Sequence, residues 1–190
     1  MKREITTQSR IRELVYAALF AGIVAVLGLI PPIPLPLGVP ITLQTFGVML
    51  AGGLLGKRVG SSSMLLFILL VAIGLPVLSG GRGGVGFLFG PTGGYIFSWP
   101  LVAYLIGFVS ELRPGGLHLA GLFAVNIVFG IMLVYICGIA YLMLITEVSF
   151  KALVVGHLLF LPGDLLKALL AAWLVIRIKA TYPPINRLTK

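Results

Sequence analysis

The sequence predicts an all-α integral membrane protein of six transmembrane helices. Three observations point there: its composition, the spacing of its charges, and the side on which its basic residues fall. Of 190 residues, 59% are hydrophobic and 10% charged, where a soluble domain carries roughly 45–50% apolar and about 25% charged residues. The 25 Gly and 12 Pro punctuate Leu, Val, Ile and Ala runs and do not replace them, so disorder is excluded along with a water-soluble fold. Charges stop at Glu13 and resume at Lys57, and the stretches 59–81, 83–110 and 114–146 have none. A formal charge of +9 invites a nucleic-acid reading. Charges so spaced leave no basic face to lie along a duplex, and no nucleic-acid partner is expected. Cys137 lies inside an apolar run and, as the single cysteine, makes no internal disulfide.

Crossing about 30 Å of hydrocarbon takes about 20 helical residues, and six runs approach that length. The first, 14–30, follows Lys2, Arg3, Arg10 and Arg12 and is stopped by Pro31 and Pro32. No small-x-small cleavage site follows, so a retained helix is expected. The second, 41–56, is short and needs local thinning or protein cover. The third is 61–78 and the fourth 94–110. The fifth, 117–145, is long enough to require tilt, and the sixth is 152–176. Continuous apolarity without period-2 alternation favours helices over a barrel. Together the runs make one transmembrane domain, 1–190. With the N-terminus inside, the inner segments hold Lys2, Arg3, Arg10, Arg12, Lys57, Arg58, Arg113, Arg177, Lys179, Arg187 and Lys190, against Arg82 and Lys151 outside. That asymmetry places both termini in the cytoplasm, with loops 31–40, 79–93 and 146–151 outward.

Two outer loops are unusual. Residues 31–40 hold five prolines and no polar side chain, so they cannot continue a helix, yet they are as apolar as the spans. Residues 79–94 are rich enough in glycine for backbone to approach a ligand or helix closely. Two readings fit: a lid over a cavity, or ordinary connections lying in the interface.

The sequence Leu161-Pro-Gly-Asp-Leu-Leu-Lys167 falls in the middle of the sixth span. A charge at bilayer centre costs about 2.5–3.5 kcal/mol even on insertion scales, so such residues mark function unless they form a structural ion pair. Asp164 and Lys167, three apart, share a helix face and can neutralise each other. Pro162 and Gly163 should kink the helix ahead of them. Arg82, between glycine pairs, suits either carboxylate capture or a snorkelling anchor. Tyr95, Trp99 and Tyr104 share a side of the fourth helix, as ligand contacts or belt residues. Ala17, Ala21 and Ala25, with Ala18 and Gly22 alongside, form a small-residue seam for a partner or for the chain's own bundle. Gly52, Gly56 and Gly60 carry the same ambiguity.

Other patterns fail on context. Gly81-Arg-Gly-Gly-Val-Gly86 fits G-x-G-x-x-G but lacks the strand before it and the acidic residue about 20 positions on. Gly56-Lys57 is followed by Arg58 where a P-loop needs Ser or Thr, so no nucleotide hydrolysis is expected of this chain. His118 and His157 have no carboxylate or Cys at ligand spacing, so no metal site is expected. Asn126 suits a hydrogen bond to a neighbouring helix.

Pro40-Ile-Thr-Leu-Gln-Thr45, Gly80-Gly-Arg-Gly-Gly-Val-Gly-Phe87, Gly90-Pro-Thr-Gly-Gly-Tyr95 and Asp164-Leu-Leu-Lys167 together resemble BioY, the biotin-binding S-component family of energy-coupling factor (ECF) transporters. The resemblance runs over nearly the whole chain. It implies a six-helix protein of the cell membrane that captures biotin in a cavity toward the outer face. The implied partners are a transmembrane coupling protein and two ABC-type ATPases, with biotin as cargo and no cofactor. The family's alanine seam for the coupling protein maps to Ala17, Ala21 and Ala25. Asp164 is expected to accept from ureido N–H groups and Lys167 to donate to the ureido oxygen. Arg82 is the candidate for the carboxylate, and Gln44, Thr45 and Tyr95 are further contacts. The rival readings are an S-component for another vitamin, a secondary carrier, and an intramembrane enzyme using Asp164 and His157. The carrier lacks a visible inverted repeat, and the enzyme lacks a second acid, nucleophile pair or metal triad.

Overall fold

The computed structural model describes residues 7–33, 39–113, 117–182 and 185, and the basic residues Lys2, Arg3, Arg187 and Lys190 and loop residues 34–38 lie outside them. The helices are α1 (Thr7–Gly28), α2 (Gln44–Ala72), α3 (Val85–Leu88), α4 (Gly93–Leu112), α5 (Leu119–Val125), α6 (Val134–Ile145), α7 (Phe150–His157) and α8 (Leu161–Thr181). A π-helical segment, Asn126–Leu133, joins α5 to α6. No strand occurs among the described residues, only isolated bridges Ile33–Ile41 and Leu78–Arg82.

Four helical stretches are long and apolar enough to cross a membrane: Gln8–Gly28, Gln44–Ala72, Gly93–Leu112 and Leu119–Ile145. The pair α7 and α8, bent by 51°, makes a fifth if taken as one broken span. Large apolar side chains cover the outside, among them Leu14, Leu69, Ile136 and Leu144. Water would not tolerate so much exposed apolar surface, whereas lipid does.

The expected second and third spans, 41–56 and 61–78, emerge as the single element α2, interrupted at Gly56 with φ 77° and ψ −179°. A straight helix of 29 residues would be about 43 Å long. Instead the Gln44 side chain reaches the carbonyl of Val77 at 3.1 Å, and a Cβ placed on Gly60 would lie 2.8 Å from the carbonyl oxygen of Ala51. The chain therefore doubles back at Gly56, in a left-handed conformation that glycine alone adopts without strain. A Cβ at Gly107 of α4 would strike the backbone of Gly56 and Lys57, so α4 packs directly on the turn. Glu111 seals it, accepting from the Lys57 backbone N–H at 2.9 Å and pairing with its ammonium at 3.0 Å. Gly52, Gly56 and Gly60 thus serve packing within the chain. The second half ends at Ala72, not 78, because Gly74 takes a left-handed φ of 95° and the N–H groups of Gly74 and Leu75 close the helix on the carbonyls of Val71 and Leu70.

The sixth expected span also breaks. The interruption falls at residues 158–160, ahead of the expected kink, and Pro162 sits in the first turn of α8, where its missing N–H would have had no partner anyway. Asp164 and Lys167 consequently lie in the opening turns of a helix and not in the middle of one. Asn126 donates to the carbonyl of Ala168 at 3.0 Å, tying the π-helical segment to α8.

Candidate functional site

One cavity of about 790 Å³, open mouth included, lies between α2, α4, the π-helical segment, α7 and α8. Its wall includes Gln44, Thr45, Arg82, Tyr95, Asp164 and Lys167. Residues scattered over more than 120 positions of sequence are thus brought to one space. Val39 and Pro40 from the proline-rich loop and Leu78, Ser79 and Phe87 from the glycine-rich one also line it, which favours the lid reading of those loops. Trp99 lines it beside Tyr95, whereas Tyr104 is 39% exposed on the outer surface.

Within this wall, Asp164 and Lys167 are both only 7% exposed. Their ion pair is 2.6 Å long. Lys167 also donates to the carbonyl of Thr42 at 2.7 Å and to the hydroxyl of Thr45 at 3.3 Å. An ammonium has three hydrogens, and each has an acceptor here. A ligand oxygen would have to displace one, and Thr45, the most distant, is the weakest. The carboxylate is less committed: Asp164 Oδ2 accepts from the Tyr135 hydroxyl at 2.6 Å, and two carboxylate oxygens offer about four acceptor positions. Desolvating two charges costs several kcal/mol each, and the extra hydrogen bonds are what make the pair tolerable.

Gln44 plays a double part. Its amide hydrogens go to the carbonyls of Val24 at 3.2 Å and Val77 at 3.1 Å, which clamps α1 and the segment after α2 to the start of the α2 hairpin. Only its carbonyl oxygen is left to face a ligand. Tyr95 is seated by glycines: a Cβ at Gly138 would overlap its ring, and one at Gly94 would meet Tyr141. The Gly90-Pro-Thr-Gly-Gly-Tyr95 motif thereby lets α4 and α6 approach closely enough to bring the phenol to the cavity.

At the mouth, Leu78 and Arg82 exchange backbone hydrogen bonds of 2.8 and 3.2 Å. Gly80 and Gly81 complete the turn at φ 77° and 68°, both left-handed. Arg82 emerges from this turn with its guanidinium 5.8 Å from the centroid of Phe87. Neither the Lys57–Glu111 nor the Lys167–Asp164 ion pair involves Arg82.

Several wall residues were not singled out as ligand contacts from sequence: Tyr135, His157, Phe160 and Thr42. His157 packs against Tyr95, Tyr135 and Phe160 at ring separations of 5.8, 5.0 and 5.4 Å. Its signal was the seven-residue interval to Asp164, two helical turns. Tyr135 gave none beyond a lone hydroxyl in an apolar run. Trp99 Nε1 and Ser79 Oγ are buried with no hydrogen-bond partner, and such groups in a binding wall ask for an explanation. The Ala17, Ala21, Ala25 row is not part of the cavity wall and faces inward: Ala17 and Ala21 are buried and Ala25 packs against the core. The exposed side of α1 instead presents Ala18 and Gly22.

A family model described as the BioY family matches residues 1–184. A biotin transporter BioY of Rhizobium etli is 43% identical over 178 residues, which are 90% of this chain and 95% of that protein. A probable biotin transporter BioY of Bacillus subtilis is 42% identical over 167 residues, covering 87% and 89%. Among solved structures, the S-component for biotin from an ECF-type ABC transporter matches with a TM-score of 0.87 and 35% identity, covering 92% of this chain and 94% of that one.

Proposed function

This chain belongs to the BioY family, and from that premise we propose that it is the biotin-capturing membrane subunit of an ECF-type transporter. The observation that carries the reading is the buried Asp164–Lys167 pair in the wall of a cavity that Val39, Pro40, Leu78, Ser79 and Phe87 also line. Biotin is a cyclic urea fused to an apolar sulfur ring, with a carboxylate on a flexible chain. Asp164 has acceptor capacity to spare for one of the two ureido N–H groups, and the Gln44 carbonyl is a further acceptor in the same wall. The ureido oxygen meets the hydroxyl hydrogen of Thr45. Lys167, with its hydrogens engaged, holds Asp164 and Thr45 in place and serves the ligand as a neighbouring charge. The apolar ring fits among Tyr95, Trp99, Tyr135 and Phe160. Arg82 at the mouth meets the carboxylate, where a guanidinium fork is suited to two oxygens.

We infer six crossings with both termini cytoplasmic. Two features support this count: the reversal at Gly56 gives α2 two antiparallel halves, and α7 with α8 acts as one broken crossing. The lysine and arginine asymmetry supports the orientation, and the cytoplasmic membrane is the corresponding location. The chain binds and carries, and ATP hydrolysis falls to two ABC-type ATPases coupled through a transmembrane partner. Contact with that partner at the Ala17, Ala21, Ala25 row would require α1 to turn or shift, since those residues face the bundle; the exposed Ala18 and Gly22 lie on the adjoining face.

Equilibrium binding by the detergent-purified chain tests the reading. Biotin should bind at least about a hundredfold more tightly than thiamin or riboflavin. Equal affinity across that panel, or no biotin binding by folded protein, would refute it.

A further inference from the structure

His157 is the last residue of α7 and is 3% exposed. Its Nδ1 lies 2.6 Å from the carbonyl oxygen of Leu153, and its Nε2 lies 2.6 Å from the Tyr95 hydroxyl. A carbonyl oxygen only accepts, so Nδ1 carries a hydrogen. Among the described residues no carboxylate pairs with the ring, and Asp164 is already engaged by Lys167 and Tyr135. A buried imidazolium without a counter-charge is costly; in the neutral ring with its hydrogen on Nδ1, Nε2 accepts from the Tyr95 hydroxyl.

The consequence concerns Tyr95. A tyrosine hydroxyl ordinarily rotates to donate or accept as its surroundings require. Here its hydrogen is committed to His157, and only the oxygen's lone pairs remain for a guest. The neighbouring polar groups follow the same rule: both Gln44 amide hydrogens are spent on Val24 and Val77, and all three Lys167 hydrogens have acceptors.

We propose that His157 is a positioning residue that holds the Tyr95 hydroxyl as an acceptor for a ureido N–H of the bound ligand. With both nitrogens engaged, His157 does not hydrogen-bond the ligand itself. The wall it shapes, made of Tyr95 Oη, Asp164 and the Gln44 carbonyl, selects for a guest with more than one N–H donor. A carbonyl turned toward the same three groups would be repelled. The inference rests on the biotin-binding reading above and deepens it.

Two substitutions separate the bonds His157 makes. His157→Gln can place an amide oxygen near the Nε2 position and keep the Tyr95 acceptor, while losing the group at Nδ1. His157→Asn can keep a donor to Leu153 and leave Tyr95 without its acceptor. Calorimetric titration of the purified full chain with biotin should find His157→Gln within about threefold of the parent. His157→Asn should be weakened about tenfold or more, the scale on which a buried N–H loses its acceptor. In a Tyr95→Phe background, His157→Asn should cost less than about threefold further, since coupled residues are not additive. Ligand-free thermal unfolding checks that each variant folds. If the Asn variant does not, His157→Phe, which keeps the ring packing and no nitrogen, takes its place with the same expected loss. The proposal is overturned if the Asn or Phe variant binds like the parent, if His157→Gln loses more than His157→Asn, or if the losses multiply in the Tyr95→Phe background. Failure of the unsubstituted chain to bind biotin would instead strike the functional reading on which the proposal stands.

Discussion

Lys167 Nζ stands 2.6 Å from Asp164 Oδ1, one turn along α8, with both side chains buried. Because removing one partner strands the other's charge, single and double substitutions should behave in opposite ways. Asp164→Asn or Lys167→Met alone should destabilise the ligand-free protein by about 3–5 kcal/mol, whereas the double variant should recover most of that loss. Biotin affinity should fall at least about a hundredfold in all three. Thermal unfolding beside calorimetric titration reads both effects. Recovered binding in the double variant would show that the pair serves the fold alone.

Tyr135 donates to the second oxygen of the same carboxylate at 2.6 Å. Tyr135→Phe removes this charge-assisted bond while keeping the ring against His157 and Phe160. A bond to an ionised group is worth about 1.5–3 kcal/mol, part of it expressed in how Asp164 is aimed. Biotin affinity should drop roughly five- to thirtyfold, measured by titration. An unchanged affinity would mean that Lys167 alone orients the carboxylate.

Arg82 should act on one end of the ligand only. Arg82→Ala is expected to weaken biotin about tenfold and to leave biotin amide, which lacks the negative charge, within about twofold of its affinity for the parent chain. An equal loss for both ligands would reassign Arg82 to the ring end or to the loop's own structure. The comparison should be made at one fixed ionic strength, because an exposed charge at the mouth is screened by salt.

The hairpin turn in α2 offers a test remote from the cavity. Gly107→Ala places a methyl group against the backbone of Gly56 and Lys57, where neither side can yield cheaply. Overpacking of this kind costs about 1–3 kcal/mol. Gly22→Ala, with nothing within 4 Å of the added carbon, should be neutral or stabilising by up to about 1 kcal/mol through helix propensity. Matched thermal unfolding curves distinguish the two, and equal midpoints would argue against α4 bearing on the turn.

By itself the sequence determined the helical membrane class, the Lys and Arg asymmetry and six residues of the cavity wall, Gln44, Thr45, Arg82, Tyr95, Asp164 and Lys167. Each is a local property: apolar runs must meet lipid, and Asp164 and Lys167 in such surroundings need partners. Their spacing of three placed the two charges on one face before any fold was known. The tertiary structure alone decided that α2 doubles back at Gly56, because glycine permits that backbone without requiring it, and the deciding contacts come from Gly107 and Glu111 some fifty residues away. It also decided that α8 begins afresh at Leu161, that Tyr135 meets Asp164, and that Ala17 and Ala21 face inward. Those outcomes depend on the relative rotation and register of separate helices. A continuously apolar helix carries little amphipathic signal to fix its rotation, so the hydrogen bonds of the cavity became legible only once the helices were packed.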